Sequence, residues 1–388
     1  MDQQAPAPEA SIDSIDTILD RLARFEPSPL PVISLYLNLQ AGQHGKANYE
    51  PFLKKELAAR ARTYAPGSPE RASFDQDAER IEQYLASDVG PAVNGLAIFA
   101  CSGSDGFFEA VSVDVPVDAH RLTVASEPHV YPLELLLDRH PRHAVVLADS
   151  QSARIFVFGL GQTIAQETVS GDKIRRTSAG GWSQMRYQRR MDNLQAEHVR
   201  ELVAALDTMV RAEDVAHILL AGDDVTTSLI KNELPKALAE KVVEVLKLEI
   251  RTPEQEIMAA AATALKRHDE KTDAEVIERV LGDYRAGGLA VAGLEETRDA
   301  LEKGQVDELY LTTAAADAPA DATAEERGPE PEAGSATPAA GDELVAKARQ
   351  TSATVRFIEE ASLLSSVGGV AAALRYRVEA PWKRALKG

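Results

Sequence analysis

A chain of 388 residues exceeds what one compact core organises and suits two or three domains at about 150 residues each. With 44% hydrophobic and 27% charged residues it has the composition of a soluble globular protein, and no run of about 18 apolar residues offers a membrane-spanning helix. A net charge of −19 argues against a protein that coats nucleic acid nonspecifically, and a lone cysteine, Cys101, excludes an intramolecular disulfide and a cysteine-rich zinc site.

The opening residues "MDQQAPAPEASIDSIDTILD" carry no basic segment followed by an apolar core, so no secretory signal is expected and the cytoplasm is the expected location. Residues 1–10 are rich in Pro and Ala and are expected to be disordered. Apolar positions recur at helical spacing from Ile12 to Phe25. "PVISLYLNL" then alternates as a strand, with Val32, Ser34, Tyr36 and Asn38 on one face and Ile33, Leu35 and Leu37 on the other.

A charged helical stretch is expected from Tyr49 to Leu85, followed by strands in "NGLAIFAC" and "GFFEAVSVDVPV". The proline-flanked "SEPHVYPLELLLDRHPRH" reads as a connection into a new domain. An N-terminal α/β domain is therefore expected over residues 11–135.

"HAVVLADSQSARIFVFGLGQTIAQETVSG" reads as three short antiparallel strands turning at "DSQS" and "GLGQ". A helix follows from Ser183 to Arg211, then strand "AHILLAG", helix "TTSLIKNELPKAL", strand "KVVEVLKLEI", and a helix opened by Pro253. Three strands followed by alternating helix and strand predict a mixed-sheet α/β domain over 136–271.

A third domain is expected over 272–388. It has helices in "DAEVIERVLGDYRAG" and "GLEETRDALEKG", strands "DELYLTT" and "TVRFIEE", and a closing "SSVGGVAAALRYRV". Residues 314–343 interrupt it with a run rich in Ala, Pro and acids, which is expected to be a disordered acidic insertion.

The charge is unevenly spread. Residues 314–343 hold eight acids and one arginine, whereas Gly171 to Arg190 holds six basic residues against Asp172 alone, a local +5. That basic stretch contains "TSAGGWSQMRYQRR". Gly180 and Gly181 permit backbone conformations closed to other residues. Arg186, Arg189 and Arg190, three and four apart, share one side of the following helix.

Arginines in a first helical turn face the positive end of the dipole, at a cost of about 0.3–1 kcal/mol each where exposed. The same turn offers free N–H groups for a phosphate, which arginine forks would grip bidentately. Trp182 and Tyr187 supply faces on which an unpaired base could stack. From these residues two readings stand level: a loop that touches RNA, and a solvated basic loop whose tryptophan folds back on its own domain.

Other signals read more simply. "GLGQT" lacks the lysine of a P-loop and is expected to be a hairpin turn. His140 and His143 have no clustered partners for a metal. Asp149, Asp223 and Asp224 stand at strand ends, where turn and cap chemistry is the better reading. Neither metal nor cofactor is expected.

"GGWSQMRYQRR" followed by "AEHVRELVAAL" resembles the Gly-Gly-Gln loop and following helix of archaeal and eukaryotic class I peptide release factors and Pelota-related proteins, and in particular their bacterial release-factor-like relatives. "GLEETRDALEKGQVDELYLTT" and "VGGVAAALRY" resemble segments of that family's last domain, so the likeness spans Arg142 to Val378. The resemblance implies an α/β (α+β) protein of three domains, the central one ribonuclease H-like and the last an α/β sandwich like that of kink-turn RNA-binding ribosomal proteins.

It also implies a ribosome-binding factor that enters the A site of idle or stalled 70S ribosomes, with its loop near the peptidyl transferase centre, acting in hibernation. Arg175, Arg176, Gly180, Gly181, Trp182, Ser183, Gln184, Arg186, Tyr187, Arg189 and Arg190 would then contact 23S rRNA or tRNA, including P-site tRNA. Delivery by a translational GTPase such as elongation factor Tu belongs to the same analogy. Trp182 stands where the family has glutamine, and Gln184 follows two residues later. The alternative is therefore peptidyl-tRNA hydrolysis, with Gly180, Gly181 and Gln184 as the catalytic candidates.

Overall fold

The computed structural model describes residues 12–40, 49–87, 89, 93–150, 152–170, 183–318 and 339–377. Residues 1–10, for which disorder is expected, lie outside these.

The first segment of the chain holds α1 (Ile12–Ala23), β1 (Val32–Asn38), α2 (Glu50–Ala61), α3 (Pro69–Ser87), β2 (Gly95–Cys101), β3 (Phe107–Val113), β4 (Arg121–Ala125) and α4 (Tyr131–Arg139). The strands form an antiparallel sheet in the order β3-β2-β1-β4. Alternation fixes its faces: Ile33, Leu35 and Leu37 bury with Leu96 and Ile98 against Leu53 and Leu57 of α2 and Phe74 and Ile81 of α3. On the other face Ser34 and Tyr36 are buried too. The Tyr36 hydroxyl donates to the His129 carbonyl at 2.6 Å, and the His129 N–H donates to Ser34 Oγ at 2.9 Å.

Two expectations change here. The helical stretch 49–85 is two helices, broken after Arg62 where Pro66 precedes Gly67 at φ +79°. The segment read as a connection contains β4's successor α4, whose second residue, Pro132, fits a first turn because the missing N–H would be unpaired there anyway.

The central segment holds β5 (His143–Ala148), β6 (Ser152–Gly159), β7 (Gln162–Ser170), α5 (Ser183–Ala212), β8 (His217–Gly222), α6 (Asp224–Glu233), α7 (Lys236–Ala239), β9 (Val242–Leu246) and α8 (Glu254–Arg285). The order is β7-β6-β5-β8-β9, antiparallel across β7, β6 and β5 and parallel across β5, β8 and β9. This is the strand order and direction of a ribonuclease H-like sheet, as the resemblance implies. "GLGQ" is a two-residue hairpin with Leu160 and Gly161 both at positive φ.

Ala144, Val146, Ile155, Val157, Ile218 and Leu220 bury one face beneath α5 and α6. Val145, Leu147, Phe156, Phe158, Leu219 and Ala221 bury the other beneath Ile257, Ala261, Ala264 and Leu265 of α8. The expected helix over 226–238 is divided at Pro235 into α6 and α7.

The last segment holds β10 (Ala290–Ala292), α9 (Leu294–Glu302), β11 (Val306–Thr312), α10 (Thr313–Asp317), α11 (Ala340–Gln350), β12 (Thr354–Ile358), a 3-10 turn over Ala361–Val367, and β13 (Val370–Leu374). Its sheet runs β10-β13-β11-β12, with only β11 and β12 parallel. Gly369 closes the glycine turn at φ +81°, where a Cβ would lie 2.5 Å from Thr312 Oγ1.

Disorder was expected across all of 314–343, and the ends of that run are ordered. Ala315 and Ala316 are buried on α10, and Ala340 and Asp342 are buried on α11. The Ala340 N–H donates to the Ala318 carbonyl at 2.7 Å. Apolar alanines supply the burial that composition alone hides; residues 319–338 lie outside the description.

The chain divides into two compact units, residues 1–139 with 272–388, and residues 140–271. Helix α8 runs unbroken through Lys271 and Thr272, where the sequence suggests two helices. Within the first unit the two distant pieces are tied by ions and buried polar groups. Arg349, largely buried, reaches Glu134 at 2.5 Å and Asp16 and Asp20 at 3.0 Å each. His129 and Asp342 pair at 2.6 Å, Asp317 accepts from Arg121 and Tyr131, and the Phe357 N–H donates to Asp138 Oδ2 at 2.9 Å.

Candidate functional site

Helix α5 carries the candidate site at its start. Its anchoring end is buried: Val199, Leu202, Val203, Leu206, Met209 and Val210 form one stripe, packed on the sheet, on Ile230 of α6 and on Leu234, which caps α6. Ahead of that stripe Asn193 and Glu197 are exposed and Leu194, Gln195 and Ala196 half-buried. Ser183 precedes Val199 by sixteen residues, about 24 Å of helix.

The site's own residues divide by what the structure describes. Arg175, Arg176, Gly180, Gly181 and Trp182 lie outside the described residues. Ser183, Gln184, Arg186, Tyr187, Arg189 and Arg190 lie on the first turns of α5, where the backbone is described. The first turn contains no acidic residue, so none offsets the positive end of the dipole there. The loop joins this helix to β7, an edge strand of the sheet whose Gln166, Glu167 and Thr168 are exposed.

The strand-end carboxylates serve turns. Asp149 Oδ1 accepts from the Ser152 N–H at 2.8 Å, closing the β5–β6 turn. Asp223 accepts from the N–H and hydroxyl of Thr226 at 2.8 and 2.7 Å and caps α6. Burial alone would raise its carboxyl, but the hydrogen bonds from Thr226 outweigh burial and hold it below the usual carboxylate range. Asp224, in the first turn of α6, is exposed.

Among the described residues no three His, Cys, Asp or Glu side chains are grouped to hold a metal, and no helix is long and apolar enough to cross a membrane. Arg121, His129, Tyr131, Asp317 and Asp342 form a polar grouping without a sequence signature. Its members come from segments up to 221 residues apart in number, and no local spacing marks them.

Comparison with known proteins gives two adjoining matches. Bacterial archaeo-eukaryotic release factor family 10 matches residues 128–266, and eRF1 domain 3 matches residues 271–378. YocB of Bacillus subtilis is 24% identical over 243 residues, covering 59% of this chain and 92% of that protein. Peptide chain release factor subunit 1 of Thermoplasma acidophilum is 23% identical over 255 residues, covering 62% of this chain. The match spans 60% of that factor's length.

Among solved structures, an archaeal Pelota described as ribosome-bound with ABCE1 aligns over 98% of this chain and 100% of that one, at 14% identity and a TM-score of 0.44. Dom34 of S. cerevisiae aligns over 74% and 80% of the two chains, at 12% identity and a TM-score of 0.42.

Proposed function

We propose, starting from the fact that this chain is a bacterial archaeo-eukaryotic release-factor-like protein, that it binds the A site of idle or stalled 70S ribosomes and serves as a hibernation factor. The loop from Gly180 to Arg190 would face the peptidyl transferase centre and contact 23S rRNA or the acceptor end of tRNA. Elongation factor Tu is the delivering GTPase the family likeness suggests.

One observation carries this reading. A chain of net charge −19 concentrates six basic residues against one acid between Gly171 and Arg190, leading into a helix whose first turn has no acid. Phosphate contact needs basic surface, and elsewhere the acidity works against it. Trp182 favours occupancy over chemistry, because its ring would fill the space a hydrolytic water needs. A second reading, peptidyl-tRNA hydrolysis, rests on Gln184, two residues beyond the family's glutamine position.

The test is cosedimentation with vacant and peptidyl-tRNA-loaded 70S ribosomes, with peptide release measured in the same tubes. The wild type is expected to pellet without releasing peptide. Replacing Arg186, Arg189 and Arg190 by Ala should weaken binding and flatten its log-log salt dependence by about one unit per lost phosphate contact. Release that disappears in Gly181→Ala would establish the hydrolase reading instead. A wild type that stays in the supernatant at moderate salt would overturn both.

A further inference from the structure

Two histidines open neighbouring parallel strands in the central unit, and a third packs on one of them. His143 and His217 open β5 and β8 and are register partners on those neighbouring strands. Alternation puts both on the α8 face, with Val145, Leu147, Leu219 and Ala221. His268 reaches His217 from α8, its ring 5.6 Å away at an interplanar angle of 68°. His140 lies three residues ahead of His143, so four of the chain's eight histidines lie in or beside this end of the unit.

His143 is the buried member, 8% exposed. Its Nδ1 meets the Pro141 carbonyl at 2.9 Å, and a carbonyl oxygen only accepts, so Nδ1 carries the proton. Its Nε2 is buried and has no hydrogen-bond partner. The ring of Phe158 packs on it from β6 at 5.6 Å. A second proton would place an unpaired N–H and a full charge in that apolar seat.

The titratable and charged groups on the surrounding elements are of both signs, and include Lys241, which donates to the Val215 carbonyl ahead of β8, and Glu244 on β9, paired with Arg267 of α8 at 3.1 Å. They also include His217 on β8, His268 on α8, and His140 and Arg142 on the segment entering β5; Arg142 itself donates to the Glu213 carbonyl at 2.8 Å. Asp269 and Lys266 on α8 add one charge of each sign in sequence beside His268. The cost of a second proton therefore falls on His143 itself, whose Nε2 is the buried nitrogen without a partner.

We propose that this end of the central sheet is a proton-sensitive joint, in which His143 keeps the start of β5 and β8 closed while neutral and opens it when protonated. The same end is where the chain enters the unit at His140. Burial is the main force holding the His143 imidazole below its usual range, with the Pro141 carbonyl partly opposing it. The sign follows. The unfolded or opened form takes the proton first, so stability is full above the ordinary imidazole value of about 6.5 and falls as pH drops from there toward the lowered value in the closed sheet.

The opened population should rise up to about tenfold per pH unit across that window, since one proton is linked to opening. Amide hydrogen exchange on the full chain between pH 7.5 and 5, corrected for intrinsic rates, reads this at residues 143–148 and 217–222. His143→Gln, whose amide can still donate to the Pro141 carbonyl, should abolish most of the pH dependence while amides of β1 and β2 behave alike in both proteins. A parallel NMR titration of the histidine Cε1–H signals guards against a variant that merely loosens the fold. Equal pH dependence in wild type and His143→Gln, or a His143 signal titrating at or above the ordinary value, would overturn the proposal.

Discussion

The Cα of Gly222 stands against the carbonyl of Ala148, its partner across β5 and β8, so closely that a Cβ would lie 1.9 Å from the oxygen. Gly222 also holds φ +132°, which side chains resist. Gly222→Ala should therefore destabilise the central unit by more than about 3 kcal/mol, because strain and clash act together. Urea unfolding followed by a central-unit probe checks this, and a loss under 1 kcal/mol would contradict it. Gly282→Ala is the opposite case: it lies inside α8 with open space around it and should stabilise by about 0.5–1 kcal/mol.

The Asp223 cap should be visible as a pH effect. Its carboxyl is held below the usual range, so the stabilisation is present above the unfolded aspartate value of about 3.9 and disappears as pH falls through the lower folded value. Asp223→Ala should cost about 1 kcal/mol at neutral pH. Asp223→Asn should retain most of the cap at pH 7 and lose the dependence below pH 4, measured by thermal unfolding over pH 2.5–7.

Arg349 neutralises Glu134 inside the first unit. Truncating it leaves that carboxylate buried and unpaired, so Arg349→Ala should cost about 3–5 kcal/mol. Glu134→Gln in the same chain should recover much of the loss. Denaturant midpoints of the two single variants and the double variant form the cycle, and strict additivity would show that the pair does not act together.

Trp182 is the residue that separates occupancy from hydrolysis. Under the proposed function the wild type releases no peptide from loaded ribosomes, and Trp182→Gln should create or raise release while binding persists. Unchanged release in that variant, with binding intact, would mean that Trp182 is not what blocks the chemistry.

Periodicity made the central sheet legible, because its strands are apolar runs separated by "DSQS" and "GLGQ". It also exposed the helix that carries the loop, through the stripe from Val199 to Met209. Short elements escaped: β10 is three residues long and β4 five, too brief for alternation to register. Helix α8 reads as two helices in sequence, one in the stretch after Pro253 and one in "DAEVIERVLGDYRAG", though no Gly or Pro interrupts it near Lys271. The loop's composition stood out from the sequence, whereas the seat of His143 did not, since only packing reveals an imidazole nitrogen without a partner.

Arg349 and Asp16 touch across 333 positions, and this sets an order of events at synthesis. At roughly 5–20 residues per second, the first helix emerges roughly 15–70 s before the arginine that pairs with it. The segment with β1 and β2 has its own core over α2 and α3 during that wait, and the central unit can close in the interval. The face bearing Ser34 and Tyr36 is completed last, when α11 arrives. Truncated chains therefore leave the oldest segment unfinished, and a late stop codon would damage the N-terminal piece as much as the C-terminal one.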